Sequence, residues 1–445
     1  MKVFAITLGC KVNQYETQVM LANMQEAGFT VSEHVEGSDV VIINSCTVTA
    51  ASDHKVRQTM HRVRRVSPSA VLVLTGCMPQ AFPEAASCML DADIVLGNTK
   101  RASLVPYVLR FLEERQRIVD IGKHEKGELF EPMHVEQFHE RTRAFLKIED
   151  GCNRFCSYCI IPYARGRVRS KPLSELRQEV QGLSEHGYRE VVLTGINLSA
   201  YGQELGLTLC DAVEAACSVP GIERVRLGSL EPEQMDEAVI ARMAKQEKLC
   251  PQFHLSLQSG CDDTLRRMNR HYDTAEYRRI VANLRAAFAN AAITTDIMVG
   301  FPGETKQEFE LSLAFAQEIG FAKAHVFAYS RRPGTAADAM RNQIPNKVKE
   351  ERSAQMIEAT QRTREAFLRS QIGRTETVLF EQVCEPNVWE GYTRNYTPVR
   401  VVSSHLHSGE LRQVILQESK PDYCIGSLVS LPLPGEQRES GEKHS

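Results

Sequence analysis

The sequence lacks a decisive charge of either sign. Its 445 residues carry 53 Lys and Arg against 56 Asp and Glu, a formal net charge of −3. That balance excludes a generally basic nucleic-acid coat but leaves room for a local basic patch. No apolar run approaches membrane-spanning length, so no membrane partner is expected. The N-terminus shows no positive, apolar, cleavable leader. A cytoplasmic location is therefore expected, where the 13 cysteines serve metal ligation or catalysis rather than disulfides. The length calls for roughly two to four domains.

Also missing is the second C-x2-C pair that a structural zinc site wants, and no histidine lies close to the one such pair present. That pair belongs to Gly151-Cys152-Asn153-Arg154-Phe155-Cys156-Ser157-Tyr158-Cys159. Three thiols spaced C-x3-C-x2-C on one short loop fit three corners of an iron–sulfur cube. Three protein ligands leave the fourth iron open, and a small molecule can chelate there.

The N-terminal segment alternates strands and helices. Residues 3–8, 39–44 and 70–75 read as buried strands, with helices over 14–27 and 51–66, the grammar of an open parallel α/β sheet. Cys10, Cys46 and Cys77 each fall two residues past a strand end. Such ends share one edge of a parallel sheet, where ligand sites collect. The placement predicts a second three-cysteine cluster. Residues 104–117 read as a helix. A polar linker follows, with His124, His134 and His139 expected to be solvated and without a ligand role.

Six strand candidates follow, at 144–148, 190–194, 224–228, 253–257, 294–298 and 322–328, alternating with helices. Two more units would be needed to close an eight-fold barrel. The Cys152 loop follows the first of these strands, at the face where barrel active sites are built. Arg154, Arg165, Arg167, Arg169 and Lys171 crowd that loop, and Lys55, Arg57, Arg62, Arg64 and Arg65 follow Cys46. Beside two clusters, such runs suggest a phosphate backbone across the site; solvated helix faces are the plainer reading. Residues 347–371 form a long charged helix with Met356, Ile357, Phe367 and Leu368 on its apolar side. Short strands at 376–383, 389–393, 397–402, 413–418 and 426–431 fit a small five-stranded barrel of the OB type. Arg394 and Tyr396 are its candidate RNA contacts, by charge and stacking. The remaining cysteines, Cys88, Cys210, Cys217, Cys250, Cys261, Cys384 and Cys424, show no ligand spacing.

The Cys152–Cys159 loop resembles the signature of radical S-adenosylmethionine (SAM) enzymes. Thr7-Leu8-Gly9-Cys10-Lys11-Val12-Asn13-Gln14-Tyr15-Glu16, Asn44-Ser45-Cys46-Thr47-Val48 and Thr75-Gly76-Cys77 are similar to the three N-terminal motifs of the methylthiotransferases. The Gly-Cys-Lys-Val-Asn form resembles the branch that modifies N6-threonylcarbamoyladenosine in tRNA. The resemblance implies a multidomain α/β chain. Its parts are an N-terminal methylthiotransferase domain (1–120), a linker (121–140), a radical SAM partial (β/α)6 barrel (141–371), a TRAM-like barrel (372–434) and a disordered tail (435–445).

It implies two 4Fe-4S clusters, held by Cys152, Cys156 and Cys159 and by Cys10, Cys46 and Cys77. It also implies SAM bound beside Tyr158, with Ser229, Gln258 and Asp296 as contacts. The tRNA anticodon stem-loop would then lie on Arg165, Arg167, Arg169, Arg394 and Tyr396. The implied reaction inserts a methylthio group at C2 of the modified adenosine; the sulfur and electron donors and the oligomeric state stay open. Two alternatives remain at this point. One is the same chemistry on N6-isopentenyladenosine or a ribosomal-protein aspartate; the other is a non-catalytic RNA-binding protein with a structural metal.

Overall fold

Runs of β-branched residues set the first sheet. The computed structural model describes residues 1–133 and 142–429, so His134, His139 and the tail 435–445 lie outside the described residues. Strands β1 (Lys2–Leu8), β2 (Thr30–Val31), β3 (Val40–Ser45), β4 (Val71–Gly76), β5 (Ile94–Leu96) and β6 (Ile118–Asp120) form one parallel sheet, in the order β2-β1-β3-β4-β5-β6. Every residue of β3 and β4 is buried, as a strand covered on both faces requires. Helices Lys11–Glu26 and Leu104–Glu114 contribute to a core that includes Val3, Ile42, Val73 and Ile94. Helix Ala50–Val66 contributes to a second, with Val41, Ile43, Leu72 and Leu74. Three of the six strands were not expected. Two or three residues carry too little period to announce a strand.

Apart from one short antiparallel pair, Glu149–Asp150 with Arg169–Ser170, the central strands are parallel and fall into two sheets. Arg143–Lys147, Glu190–Thr194 and Arg224–Leu227 form one; Ser229–Leu230, Gln252–Leu255, Ala292–Val299 and Lys323–Ala328 form the other. The third strand position is thus filled by two pieces, Arg224–Leu227 within the expected 224–228 and Ser229–Leu230 beyond it, with a break at Gly228, and a bridge pairs Val225 with Leu249. Six β/α units result, and their apolar side chains join one large core that includes Leu146, Val191, Phe253 and Ile297.

The chain divides into two units, one running Met1–Arg364 and one from Glu365 onward. Helix Asn346–Ser370 begins in the first and ends in the second. On it Met356 and Leu368 are buried, but Ile357 is 52% exposed; adjacent helical residues point some 100° apart, so 356 and 357 do not share a stripe. The second unit is a closed five-stranded barrel of Thr375–Glu385, Val388–Tyr392, Pro398–Val402, Cys424–Leu428 and Leu411–Ser419. Val378, Phe380, Val399, Val414 and Leu416 fill it. Among the described residues no helix is long and apolar enough to cross a membrane.

Candidate active site

The register of the N-terminal sheet aligns its strand ends. Leu8 pairs with Ser45, and Ser45 with Gly76. Cys10, Cys46 and Cys77 therefore leave one edge together. Cys10 caps helix Lys11–Glu26, and its Sγ lies 3.3 Å from Asn13 Oδ1. Val48 N donates toward Cys46 Sγ at 3.5 Å. Gly76 holds φ at +104°, and a Cβ there would stand 2.4 Å from Ser45 O. Only glycine fits that approach.

The second triad leaves the first barrel strand in the same way. Residues Glu149–Asp150 pair antiparallel with Arg169–Ser170, closing the loop at its base. Gly151 has φ +87°, and a Cβ would meet Arg167 O at 2.0 Å. Ser157 N donates to Met268 O at 3.0 Å, and Ala337 N to Ser157 O at 2.7 Å. These bonds tie the loop to the later strands' connections. Arg270 Nη1 donates to Cys156 Sγ at 3.4 Å, steadied by its ion pair with Glu231 and by the Tyr272 ring 5.0 Å away. Asn197 Nδ2 reaches Cys152 Sγ at 3.7 Å.

Burial pushes the Cys46 and Cys152 thiols up to about 12 and raises Cys10 and Cys159 as well; in each case a thiol of the same triad adds to the shift. Cys10, Cys46, Cys152 and Cys159 thus need an external positive charge to ionise, and bound iron would supply one. N–H groups aimed at Sγ atoms are the outer contacts such ligands take. Among the described residues no group of three or more His, Cys, Asp or Glu is placed to hold a single metal ion. A cube takes each thiolate on a different iron, so its ligands need not converge on one point. The two triads fit a cluster each.

Arg165 joins them. It stands at the end of helix Ile161–Arg165, just past Cys159, and its Nε donates to Cys77 Sγ at 3.2 Å. Its other nitrogens pair with Glu16 and Asp150, and it is fully buried. Lys147 pairs with Glu16 at 2.9 Å and Asp150 at 2.6 Å, and Arg101 pairs with both acids and with Glu131. Burial alone would raise the Glu16 carboxyl; Arg101, Arg165 and Lys147 outweigh it and hold the group near about 2. On the other side Arg332, 2% exposed, donates to Thr47 Oγ1 at 2.6 Å and Asp53 Oδ2 at 2.8 Å. The N-terminal sheet is clamped to the barrel from two directions.

This placement corrects several expectations. Arg165 and Arg169 are buried among carboxylates, with Arg169 Nη1 3.2 Å from Glu128, so neither faces a phosphate. Arg167 is exposed. Arg64 is half-buried on Asp93 at 2.6 Å, whereas Lys55, Arg57, Arg62 and Arg65 are exposed. His124 is not solvated: Nδ1 lies 2.8 Å from Glu128 and Nε2 3.1 Å from Ala164 O.

Among the expected SAM contacts, Tyr158 is half-buried edge-on to Phe301 at 6.4 Å. Ser229 is exposed where the split strand resumes. Gln258 is buried with φ +65°, its Oε1 without a hydrogen-bond partner, a strained and unsatisfied group of the kind ligand sites keep. Asp296, half-buried, lies 3.3 Å from His254 Nε2. In the second unit Tyr396, at φ +68°, stacks on Tyr392 at 4.6 Å, with half-buried Arg394 in the same turn.

The sequence reading missed the buried acids. Glu149 accepts from Asn197 N at 2.7 Å, and burial holds its carboxyl well above the usual range. It missed Lys11 too, which is solvent-exposed yet whose ammonium desolvation, then Arg143 and Arg226, lower to about 8.

A model of the Uncharacterized protein family UPF0004 matches residues 2–97, and one of the Radical SAM superfamily matches residues 146–316. The chain is 35% identical over 429 residues to the threonylcarbamoyladenosine tRNA methylthiotransferase MtaB of Bacillus subtilis (strain 168), covering 95% of each. It is 36% identical over 432 residues to the MtaB of Thermotoga maritima, covering 96% of this chain and 98% of the relative. It is 31% identical over 439 residues to the tRNA-2-methylthio-N(6)-dimethylallyladenosine synthase of Clostridium perfringens (strain 13), covering 96% and 98%. Among solved structures, the radical S-adenosylmethionine methyltransferase TsrM from Kitasatospora setae, with cobalamin and a 4Fe-4S cluster bound, shares the fold. Its TM-score is 0.57 at 16% identity, over 76% of this chain and 77% of that one. With both family models matched and identity of 35–36% running almost end to end, the chain belongs to the radical SAM tRNA methylthiotransferase family.

Proposed function

We propose that this protein inserts a methylthio group at C2 of N6-threonylcarbamoyladenosine, the adenosine beside the anticodon of its tRNA substrates. Cys152, Cys156 and Cys159 would hold the cluster that binds SAM, and Cys10, Cys46 and Cys77 the cluster that carries sulfur. When bound, the first supplies the electron that cleaves SAM to a hydrogen-abstracting radical, and the second supplies the sulfur that is inserted. The chain's own residues position and shield these parts. Tyr158 packs beside the SAM adenine, the Gln258 Oε1 accepts a hydrogen bond from SAM, and Ser229 and Asp296 complete its contacts. Arg167 and the exposed cations Lys55, Arg57, Arg62 and Arg65 meet the phosphate backbone, while Arg394 and the Tyr392–Tyr396 stack receive unpaired bases. The domain limits follow the same reading, with 1–120 for sulfur, 141–371 for SAM and 372–434 for RNA.

The observation that carries this reading is Arg165, six residues past Cys159 on the chain that bears one triad, donating Nε to Cys77 Sγ of the other. Mass spectrometry of tRNA nucleosides from a strain lacking the gene tests it. Loss of 2-methylthio-N6-threonylcarbamoyladenosine, with its unthiolated precursor accumulating, is expected. An unchanged level, with loss instead of the isopentenyl product or of a ribosomal-protein modification, would refute it.

A further inference from the structure

Lys11 follows the first cysteine of the N-terminal triad and opens the helix Lys11–Glu26. Its side chain crosses to the first barrel strand, where Nζ lies 5.7 Å from the centre of the Phe145 ring. Alternation along Arg143–Lys147 puts Phe145 in one row with Arg143 and Lys147. Lys11 therefore stands between the N-terminal triad and the first barrel strand.

The charges around it are uneven. Among the described residues Lys11 makes no ion pair, and the Phe145 ring beneath it stands in one row with Arg143, which shares the Glu190 carboxylate with Arg226. The carboxylate nearby, Glu190, is already engaged by Arg226 at 3.0 Å, Arg224 at 3.5 Å and Arg143 at 3.9 Å. A lysine beside two guanidiniums, with no acid of its own, lacks the anion that would offset their repulsion. On the reading proposed above the substrate brings one, because a threonylcarbamoyl group ends in a free carboxylate. An isopentenyl group has none.

We propose that Lys11 binds the threonine carboxylate of the modified adenosine and thereby selects the charged N6 substituent over an uncharged one. The pairing is a charge-assisted hydrogen bond formed as the base enters. Its arrival would bring C2 of the same base up to the triad that starts at Cys10.

The test compares two substrates with three enzymes. Anaerobically reconstituted wild type, Lys11→Met and Lys11→Arg are assayed on an anticodon stem-loop carrying N6-threonylcarbamoyladenosine and on the same RNA with its threonine carboxylate methyl-esterified. Wild type should prefer the acid by roughly 10- to 100-fold in kcat/KM. Lys11→Met should lose that preference, and Lys11→Arg should keep most of it. Iron content is read in parallel. A preference that survives in Lys11→Met, or a Lys11→Met enzyme that loses half its iron, would overturn the assignment. Wild type inactive on both RNAs but active on an isopentenyladenosine stem-loop would instead refute the proposed function itself.

Discussion

Two arginines point at cysteine sulfurs, one in each triad. Arg165 reaches Cys77 at 3.2 Å and Arg270 reaches Cys156 at 3.4 Å. Hydrogen bonds and positive charge at a thiolate favour the reduced, more negative state of a cluster. Arg165→Lys should therefore shift the midpoint potential of the N-terminal cluster to more negative values, and Arg270→Lys that of the other. Redox titration followed by electron paramagnetic resonance reads each, and unmoved potentials would refute the role. Arg165 was legible as a cation near a cluster but not as a buried one. Its partner Glu16 lies 149 positions away, and charge in a sequence does not show which side chains fold back on carboxylates. Arg167, two residues on, looks the same in the sequence and faces solvent.

At the scale of elements, short loops leaving parallel strands deliver the cysteines. The alternation of apolar runs with amphipathic helices made β1, β3 and β4 legible, and with them the shared edge of Cys10, Cys46 and Cys77. The seam at Gly228 was not legible, since Ser229–Leu230 is too short to announce a strand of its own past the one expected over 224–228. What shapes the loops is backbone that only glycine can take. Gly151→Ala would drive a methyl group against Arg167 O and strain a left-handed residue, at a cost of roughly 1–3 kcal/mol. The expected result is a folded protein with about half the wild-type iron and no SAM cleavage. Iron assay and quantification of 5'-deoxyadenosine check it, and full iron loading would contradict it.

In the first unit, a buried charge network joins the N-terminal sheet to the barrel. The Glu16 carboxyl sits at about 2 against an unfolded value of about 4.3. A depressed carboxyl stabilises the fold above its unfolded value, and that contribution fades as pH falls from about 4.5 towards 2. Asp150, also held well below its usual range once Lys147, Arg165 and Arg101 outweigh its burial, acts in the same direction. Glu16 alone accounts for on the order of 3 kcal/mol. Urea unfolding of the apoprotein from pH 7 to pH 3 should show stability falling below about pH 4.5. Glu16→Gln should start lower and show a shallower fall; an equal slope in both would exclude Glu16 as the source. Such a network was beyond sequence reading, because lone acids in helices normally look like solvated ones.

The central claim is that two cysteine triads each hold a cube. Iron and sulfide analysis of the anaerobically reconstituted full-length protein tests it most directly. The account predicts about eight irons per chain in wild type, and about four in both the Cys10→Ala/Cys46→Ala/Cys77→Ala and the Cys152→Ala/Cys156→Ala/Cys159→Ala variants. About four irons in wild type, unaltered by loss of the N-terminal triad, would contradict it.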